Sequence, residues 1–224
     1  MQVSLSTKER LLGGIYGLLE FFLLPYAAQL AGLLWNIPVW GLNCGLFVLN
    51  AVCLSLLMRR FLADNLRCAL RFPWKTLRFA AVGLVLYYLG SMLMGMLILV
   101  LRPDYLNLND QSVSAMVSDG GIWMGLATVL CVPLAEELLF RGVLLRGLYD
   151  RSPVLAVCLS SGLFSLAHVA GYIGIYDPAE LALAFLQYLP AGLALAFAYR
   201  RSGNILAPVL MHMAINQISL SLLV

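Results

Sequence analysis

An all-α bundle of membrane-spanning helices is the fold class this sequence predicts, and three observations predict it. Of its 224 residues, 62% are hydrophobic and only 11% are charged, against roughly 25% charged residues in an ordinary soluble domain. The apolar residues fall in runs of about 20, the length that crosses a hydrocarbon core of about 30 Å as a helix. The charges gather in short connections, where basic clusters alternate with neutral or acidic ones, as polytopic membrane proteins arrange them. Residues 1–224 therefore read as a single membrane domain with no soluble module.

Seven runs qualify as spans, at about 11–34, 37–58, 79–101, 122–145, 153–171, 181–199 and 205–223. The first follows Lys8 and Arg10. It is too long for a signal-peptide core and lacks a small-residue cleavage site, so it reads as a retained span. An uncharged turn around Asn36 leads to the second. Segment 59–78 carries Arg59, Arg60, Arg67, Arg71, Lys75 and Arg78 between apolar residues. It reads as an interfacial helix with basic and aromatic anchors, broken near Pro73. Connection 102–121 sets Arg102 against Asp104, Asp110 and Asp119. Gly121 and Gly125, at the start of the fourth run, read as positions of close helix approach. Arg146 and Arg151 close the fourth run, Asp177 and Glu180 precede the sixth, and Arg200 and Arg201 follow it. By the positive-inside rule the N-terminus lies in the cytoplasm and the C-terminus outside.

The net charge of +3 is small, and no basic face or binding motif points to nucleic acid. Cys44, Cys53, Cys68, Cys131 and Cys158 are scattered, without metal-ligand spacing. They read as buried reduced thiols that pack as small hydrophobes.

The polar residues inside the runs carry the functional information, because an ionisable group in a span costs about 2.5–3.5 kcal/mol on insertion scales. Glu20 lies in the first run and reads as a helix–helix contact. "VPLAEELLFRG" in the fourth holds Glu136, Glu137 and Arg141. Glu137 and Arg141 stand four apart with the acid first, the favourable order for an ion pair. Glu136 is rotated by about 100° and points elsewhere. A carboxylate held in low dielectric without a partner is suited to act as a base near neutral pH. The two histidines, His168 and His212, fall in the fifth and seventh runs, and Asn216 shares a helix face with His212. Counted from the nearest arginines, Glu136, His168 and His212 lie roughly 22, 25 and 16 Å deep at about 1.5 Å per residue. All three fall near mid-membrane. Pro133 and Pro208, just ahead of Glu136 and His212, read as kinks. A carboxylate, two imidazoles and an amide supply a base, an electrophilic stabiliser and an oxyanion donor for amide hydrolysis. The same Glu136, His168 and His212 could ligate zinc, although no HExxH helix is present.

These motifs, Glu136-Glu137-x-x-x-Arg141, Phe164-x-x-x-His168 and His212-x-x-x-Asn216, with "RSGNILAPVLMHMAIN" around the last, resemble the CPBP family of intramembrane proteases. That family is also called Abi and includes the type II CAAX prenyl endopeptidases. The resemblance covers a family-like catalytic core at about 120–220. It implies a bundle of seven to eight helices, the extra one falling at 59–78 or after Arg141. It implies that Glu136 activates water and His168 helps to hold it. His212 and Asn216 would stabilise the oxyanion, with Glu137 and Arg141 as a supporting pair. A metal-free mechanism is the favoured reading, with zinc the alternative. It implies a membrane protein or peptide as substrate, in the cytoplasmic membrane of a prokaryote. Two other functions compete. A non-proteolytic immunity or scaffold protein of the same family would not need the Glu136 carboxylate. A proton-coupled transporter would show inverted repeats, and the sequence has none. Substrate identity and oligomeric state are not written in the sequence.

Overall fold

The computed structural model describes residues 3–223, and these form helices with no strand. Helix α1 (Thr7–Phe22) begins at Ser6, whose hydroxyl oxygen accepts the Glu9 backbone N–H. Glu9 in turn accepts the backbone N–H groups of Arg60 and Phe61. It thereby places a carboxylate at the start of α4 (Arg59–Arg71), where free amides and the helix dipole favour one. A 45° bend at Leu23 separates α1 from α2 (Leu24–Trp35), and the two together form one broken span. Pro25 sits in the first turn of α2, where a missing N–H costs nothing. Asn36 then turns the chain with φ 51° and ψ 43°, a left-handed cap that asparagine tolerates.

Helix α3 (Val39–Leu57) returns to α4. The latter is strongly amphipathic. Phe61, Asn65 and Ala69, each four apart, are buried, while Leu66, Leu70 and the arginines face outward. Phe72 ends it because Pro73 opens α5 (Pro73–Leu101). The break near Pro73 falls where the sequence places it, but residues 73–78 are the first turns of the α5 span rather than part of an interfacial helix.

A continuous helical stretch follows. It runs from α6 (Leu108–Leu126) through a π-helical segment (Ala127–Cys131), α7 (Val132–Glu137), a second π-helical segment (Leu138–Arg146) and α8 (Gly147–Tyr149). Helices α9 (Pro153–Val169), α10 (Pro178–Ser202) and α11 (Leu206–Leu223) complete the bundle. Among the described residues five helices are long and apolar enough to cross a membrane, and the bent pair makes six. Helix α11 is apolar but shorter, at 18 residues. Five of the seven predicted runs each fall on one helix, 11–34 spans the bent α1–α2 pair and 122–145 spans the end of α6, α7 and the two π-helical segments, and the chain is an integral membrane protein.

Three expectations need correction. Residues 108–121 are helical rather than a connection, because Asn107 caps α6 by accepting the Asp110 N–H. The acidic residue that suggested a loop sits in a first turn, where negative charge is favoured. Gly121 and Gly125 are not contact points, since a Cβ at either would meet nothing within 4 Å. The close approach belongs to Gly120, where a Cβ would lie 2.8 Å from Trp40. Gly121 instead breaks α6, with φ 54° and ψ −142°, a conformation nearly restricted to glycine. Gly121→Ala is therefore expected to cost about 1–3 kcal/mol from backbone strain alone, read as a lower unfolding midpoint in detergent. An unchanged midpoint would remove this explanation of the break. The cysteines, finally, are unpaired but not buried: four are partly exposed and Cys158 is exposed.

Most of the basic residues gather at one end of the bundle, while Arg102, at the far end of α5, lies 3.9 Å from Glu180. Arg10 donates to the Gly147 carbonyl, Arg146 donates to that of Val3, and Arg200 lies over Tyr149. Beside them is a buried polar lock. Asn65 accepts the Ile205 N–H at 2.7 Å, and Asn204 donates to Thr76 at 2.9 Å while accepting the Leu206 and Ala207 N–H groups. Asn204 thereby caps α11 and ties it to α5. Pro208 falls in the first turn of α11 and does not kink it. Above the lock lies an apolar core of Leu54, Met58, Leu138, Leu145, Tyr199 and Ile205, each with no exposed surface.

Candidate active site

The local fold around Glu136 starts from a mismatch in the backbone. In the segment Ala127–Cys131 the Val132 N–H bonds to the Ala127 carbonyl, five residues back. The donor that would serve the Thr128 carbonyl in that pattern is residue 133, a proline, which has no N–H. Asn216 on α11 fills the gap, donating from Nδ2 to the Thr128 carbonyl at 2.9 Å. A side chain read from sequence as an oxyanion donor thus also holds the π-helical segment that precedes Glu136, with one of its two amide hydrogens. Asn216→Ala would strand a buried carbonyl. It is expected to lower unfolding stability by about 1–3 kcal/mol, checked by detergent unfolding beside Asn216→Gln.

Glu137 and Arg141 are completely buried and form the ion pair that their spacing predicts, 3.1 Å from Oε1 to Nη1. Arg141 also donates Nη2 to the Gly192 carbonyl at 2.9 Å and lies 4.8 Å over the Phe164 ring. The pair is not closed on itself. Glu137 Oε1 also meets His212 Nδ1 at 3.0 Å. The other ring nitrogen, Nε2, is 3.9 Å from Glu136 Oε2. His212 thus stands between the two neighbouring glutamates and is 4% exposed. Glu136 Oε2 is buried and makes no hydrogen bond among the described residues, so the helical rotation leaves one carboxylate engaged and the other open.

His168, near the end of α9, is clamped on three sides. Its Nδ1 lies 2.9 Å from the Phe164 carbonyl. A carbonyl only accepts, so Nδ1 carries the proton there and Nε2 is left as the acceptor. The ring stacks on Tyr188, 4.3 Å between centroids, and tilts against Phe164 at 4.6 Å. Phe164 touches His212 as well, at 5.7 Å. The phenylalanine of the Phe164-x-x-x-His168 motif is thus a buried wedge between both imidazoles and the guanidinium.

Glu136, His168, His212 and Asn216 line one cavity of about 320 Å³. Depth counting placed Glu136, His168 and His212 near mid-membrane, and these three and Asn216 line the same cavity. The cavity also holds residues that the sequence did not single out. Glu20 accepts from Asn50 at 2.9 Å, a helix–helix contact as expected, yet its side chain lines the cavity too. Tyr188, Asp110, Asn107, Asn109 and Gln187 form its polar far end. Asp110 was masked by the loop assignment, and Tyr188 looked like any aromatic in a span. The zinc alternative fits the donors poorly. Among the described residues no three His, Cys, Asp or Glu side chains are grouped so that they could hold a metal ion.

Residues 118–218 match the family model described as type II CAAX prenyl endopeptidase Rce1-like. A protein of Escherichia coli, "Uncharacterized 24.3 kDa protein", is 30% identical over 180 residues, covering 75% of this chain and 74% of its own length. This chain belongs to the CPBP family. A second relative is UPF0177 protein YxdF of Lactococcus lactis subsp. lactis (strain IL1403). It is 28% identical over 138 residues, 55% of this chain and 71% of that one. No solved structure is a significant match. The matched region of this CPBP chain spans the three motifs and part of α6. Helices α1, α3 and α5, outside it, contribute Glu20, Phe47 and Tyr87 to the cavity wall.

Proposed function

We propose that the chain is an intramembrane endopeptidase that hydrolyses a peptide bond of a membrane-associated protein or peptide by glutamate-activated water. The single observation that carries this reading is the arrangement about His212. It joins an open carboxylate, Glu136, to an anchored one, Glu137, in a cavity shared with His168 and Asn216. Glu136 takes a proton from water as the oxygen attacks the scissile carbonyl carbon. His168 Nε2 accepts a hydrogen bond from the same water. The oxyanion is met by the second N–H of Asn216 and by Nε2–H of His212, a role that requires a proton on both ring nitrogens, since the Nδ1–H is given to Glu137. When the C–N bond breaks, Glu136 returns the proton to the leaving amine. Positioned acid–base groups of this kind contribute about 10²- to 10⁴-fold each.

The catalytic core is residues 120–220 within one membrane domain. It sits in the cytoplasmic membrane of a prokaryote with the arginine-rich end in the cytoplasm. The test compares membrane proteomes of cells carrying the wild type and Glu136→Gln. At least one membrane-associated fragment is expected in the first and absent from the second. Identical fragment sets, with both proteins inserted at equal levels, would favour the non-proteolytic immunity or scaffold reading.

A further inference from the structure

A second concavity lies outside the catalytic one and shares no residue with it. It is a groove of about 550 Å³ between α5 and α10. Leu86, Gly90 and Leu97 on α5 and Pro190, Leu193 and Phe197 on α10 line it, and no polar or charged residue does. Leu86, Leu97 and Leu193 are exposed, so the groove opens on the lipid side of the bundle. Gly90 forms its floor, since a Cβ there would lie 3.0 Å from the Pro190 Cβ. From Leu86 to Leu97 the helix rises about 16 Å, half of a hydrocarbon core of about 30 Å and the depth of one leaflet.

Phe197 joins the groove to a charged mouth. Its ring stands edge-on to Phe79, 6.2 Å between centroids. The Arg201 guanidinium lies 6.0 Å from the Phe197 centroid and 5.6 Å from that of Phe79, and the Arg78 guanidinium lies 4.7 Å from Phe79. Two cations from two helices thus meet on one buried ring, which neutralises neither. Among the described residues neither guanidinium meets a carboxylate or donates a hydrogen bond. Helix α5 has no acidic residue, and the one on α10, Glu180, begins that helix at the opposite end from Arg201. Lys75 adds a further cation in the first turn of α5, where the helix dipole favours an anion. Trp74, 82% exposed beside it, marks this level as the membrane interface.

An arginine fork matches a phosphate through parallel charge-assisted hydrogen bonds. Like charges that converge without a counter-ion repel each other, and a phosphate between them reverses that. A phosphate site at the interface, above an apolar groove one leaflet deep, is the complement of a glycerophospholipid. The uncompensated positive charge selects an anionic headgroup over a zwitterionic one, whose own cation would enter the same field. We propose that the α5–α10 groove binds one anionic glycerophospholipid, its phosphate between Arg78 and Arg201 and an acyl chain along Leu86, Gly90 and Leu193. A lipid held there braces the two helices that carry Tyr87 and Tyr188 on their cavity sides. The site does not depend on the endopeptidase reading.

The full-length chain, delipidated in a neutral detergent, is titrated with phosphatidylglycerol and with phosphatidylcholine of the same acyl chains, and bound lipids are counted by native mass spectrometry. One phosphatidylglycerol is expected to bind in preference to phosphatidylcholine and to raise the unfolding midpoint. Arg78→Gln and Arg201→Gln should each weaken it about 5-fold, and together about 30-fold, from the worth of a basic side chain near anionic lipid. Leu193→Trp, which fills the groove from its exposed rim, should weaken it with both arginines in place. Arg67→Gln, on α4 with a side chain 78% exposed, should leave it unchanged. Equal binding of the two lipids by the wild type, or an equal loss in Arg67→Gln, would overturn the proposal by reducing the site to a diffuse basic surface. Displacement of the lipid by an equal concentration of inorganic phosphate, or undiminished binding in Leu193→Trp, would overturn it by leaving the groove without a role.

Discussion

Glu136→Gln is expected to reduce peptide-bond cleavage by about 10²- to 10⁴-fold, the worth of a positioned general base, while leaving the fold intact. The substitution keeps the size and shape of the side chain and removes only its capacity to hold a transferable proton. Stability should not suffer, because Glu136 Oε2 accepts no hydrogen bond among the described residues and His212 Nε2 is 3.9 Å away. Two measurements check this on one preparation: the rate of release of the fragment found by proteomics, and the unfolding midpoint in detergent. Full activity in the glutamine variant would sink the role of Glu136 as base. Lost activity together with a large drop in midpoint would point to a structural glutamate instead. The neighbouring position supplies the control, since Glu137→Gln is expected to lose stability first.

That two adjacent glutamates divide in this way was legible in the sequence, because helical geometry alone sets them about 100° apart and only one can meet Arg141. The motif residues and the seven apolar runs were legible for the same reason: charge and amides are scarce enough in a membrane chain to stand out. Other features were hidden by equally physical causes. The contact between Glu137 and His212 joins positions 75 apart, and no periodicity links them. The service of Asn216 to the Thr128 carbonyl depends on a π-helical segment, whose pitch the residue pattern does not declare. Asp110 stood among charges that mark a loop in most sequences, yet here it occupies a helix first turn facing Tyr188. Glu20 looked like a lone interhelical contact because the cavity it borders is built mostly from helices beyond residue 100. Pairwise local spacing was readable; contacts that cross the bundle were not.

The Glu137–Arg141 pair gives the largest expected effect on stability. Both side chains are wholly buried, and removing one partner of such a pair costs about 3–5 kcal/mol because the other charge is stranded. Arg141→Met should therefore destabilise strongly, leaving Glu137 with His212 alone, and Glu137→Gln should do so by leaving Arg141 with the Gly192 carbonyl. Replacing both by methionine removes both charges and is expected to recover most of the loss, as apolar replacements of buried pairs often do. A double-mutant cycle measures this as a coupling energy. Simple additivity of the two losses would mean that the pair is not the unit its geometry implies. Activity separates a second role from this one. In Glu137→Met/Arg141→Met the His212 Nδ1 proton has no acceptor, so cleavage should stay low although the protein is stable. In Glu137→Gln/Arg141→Met the glutamine carbonyl oxygen can still accept from Nδ1, the ring keeps its orientation, and cleavage should exceed that of the methionine pair. Equal activity in the two double variants would show that Glu137 supports the fold but does not orient His212.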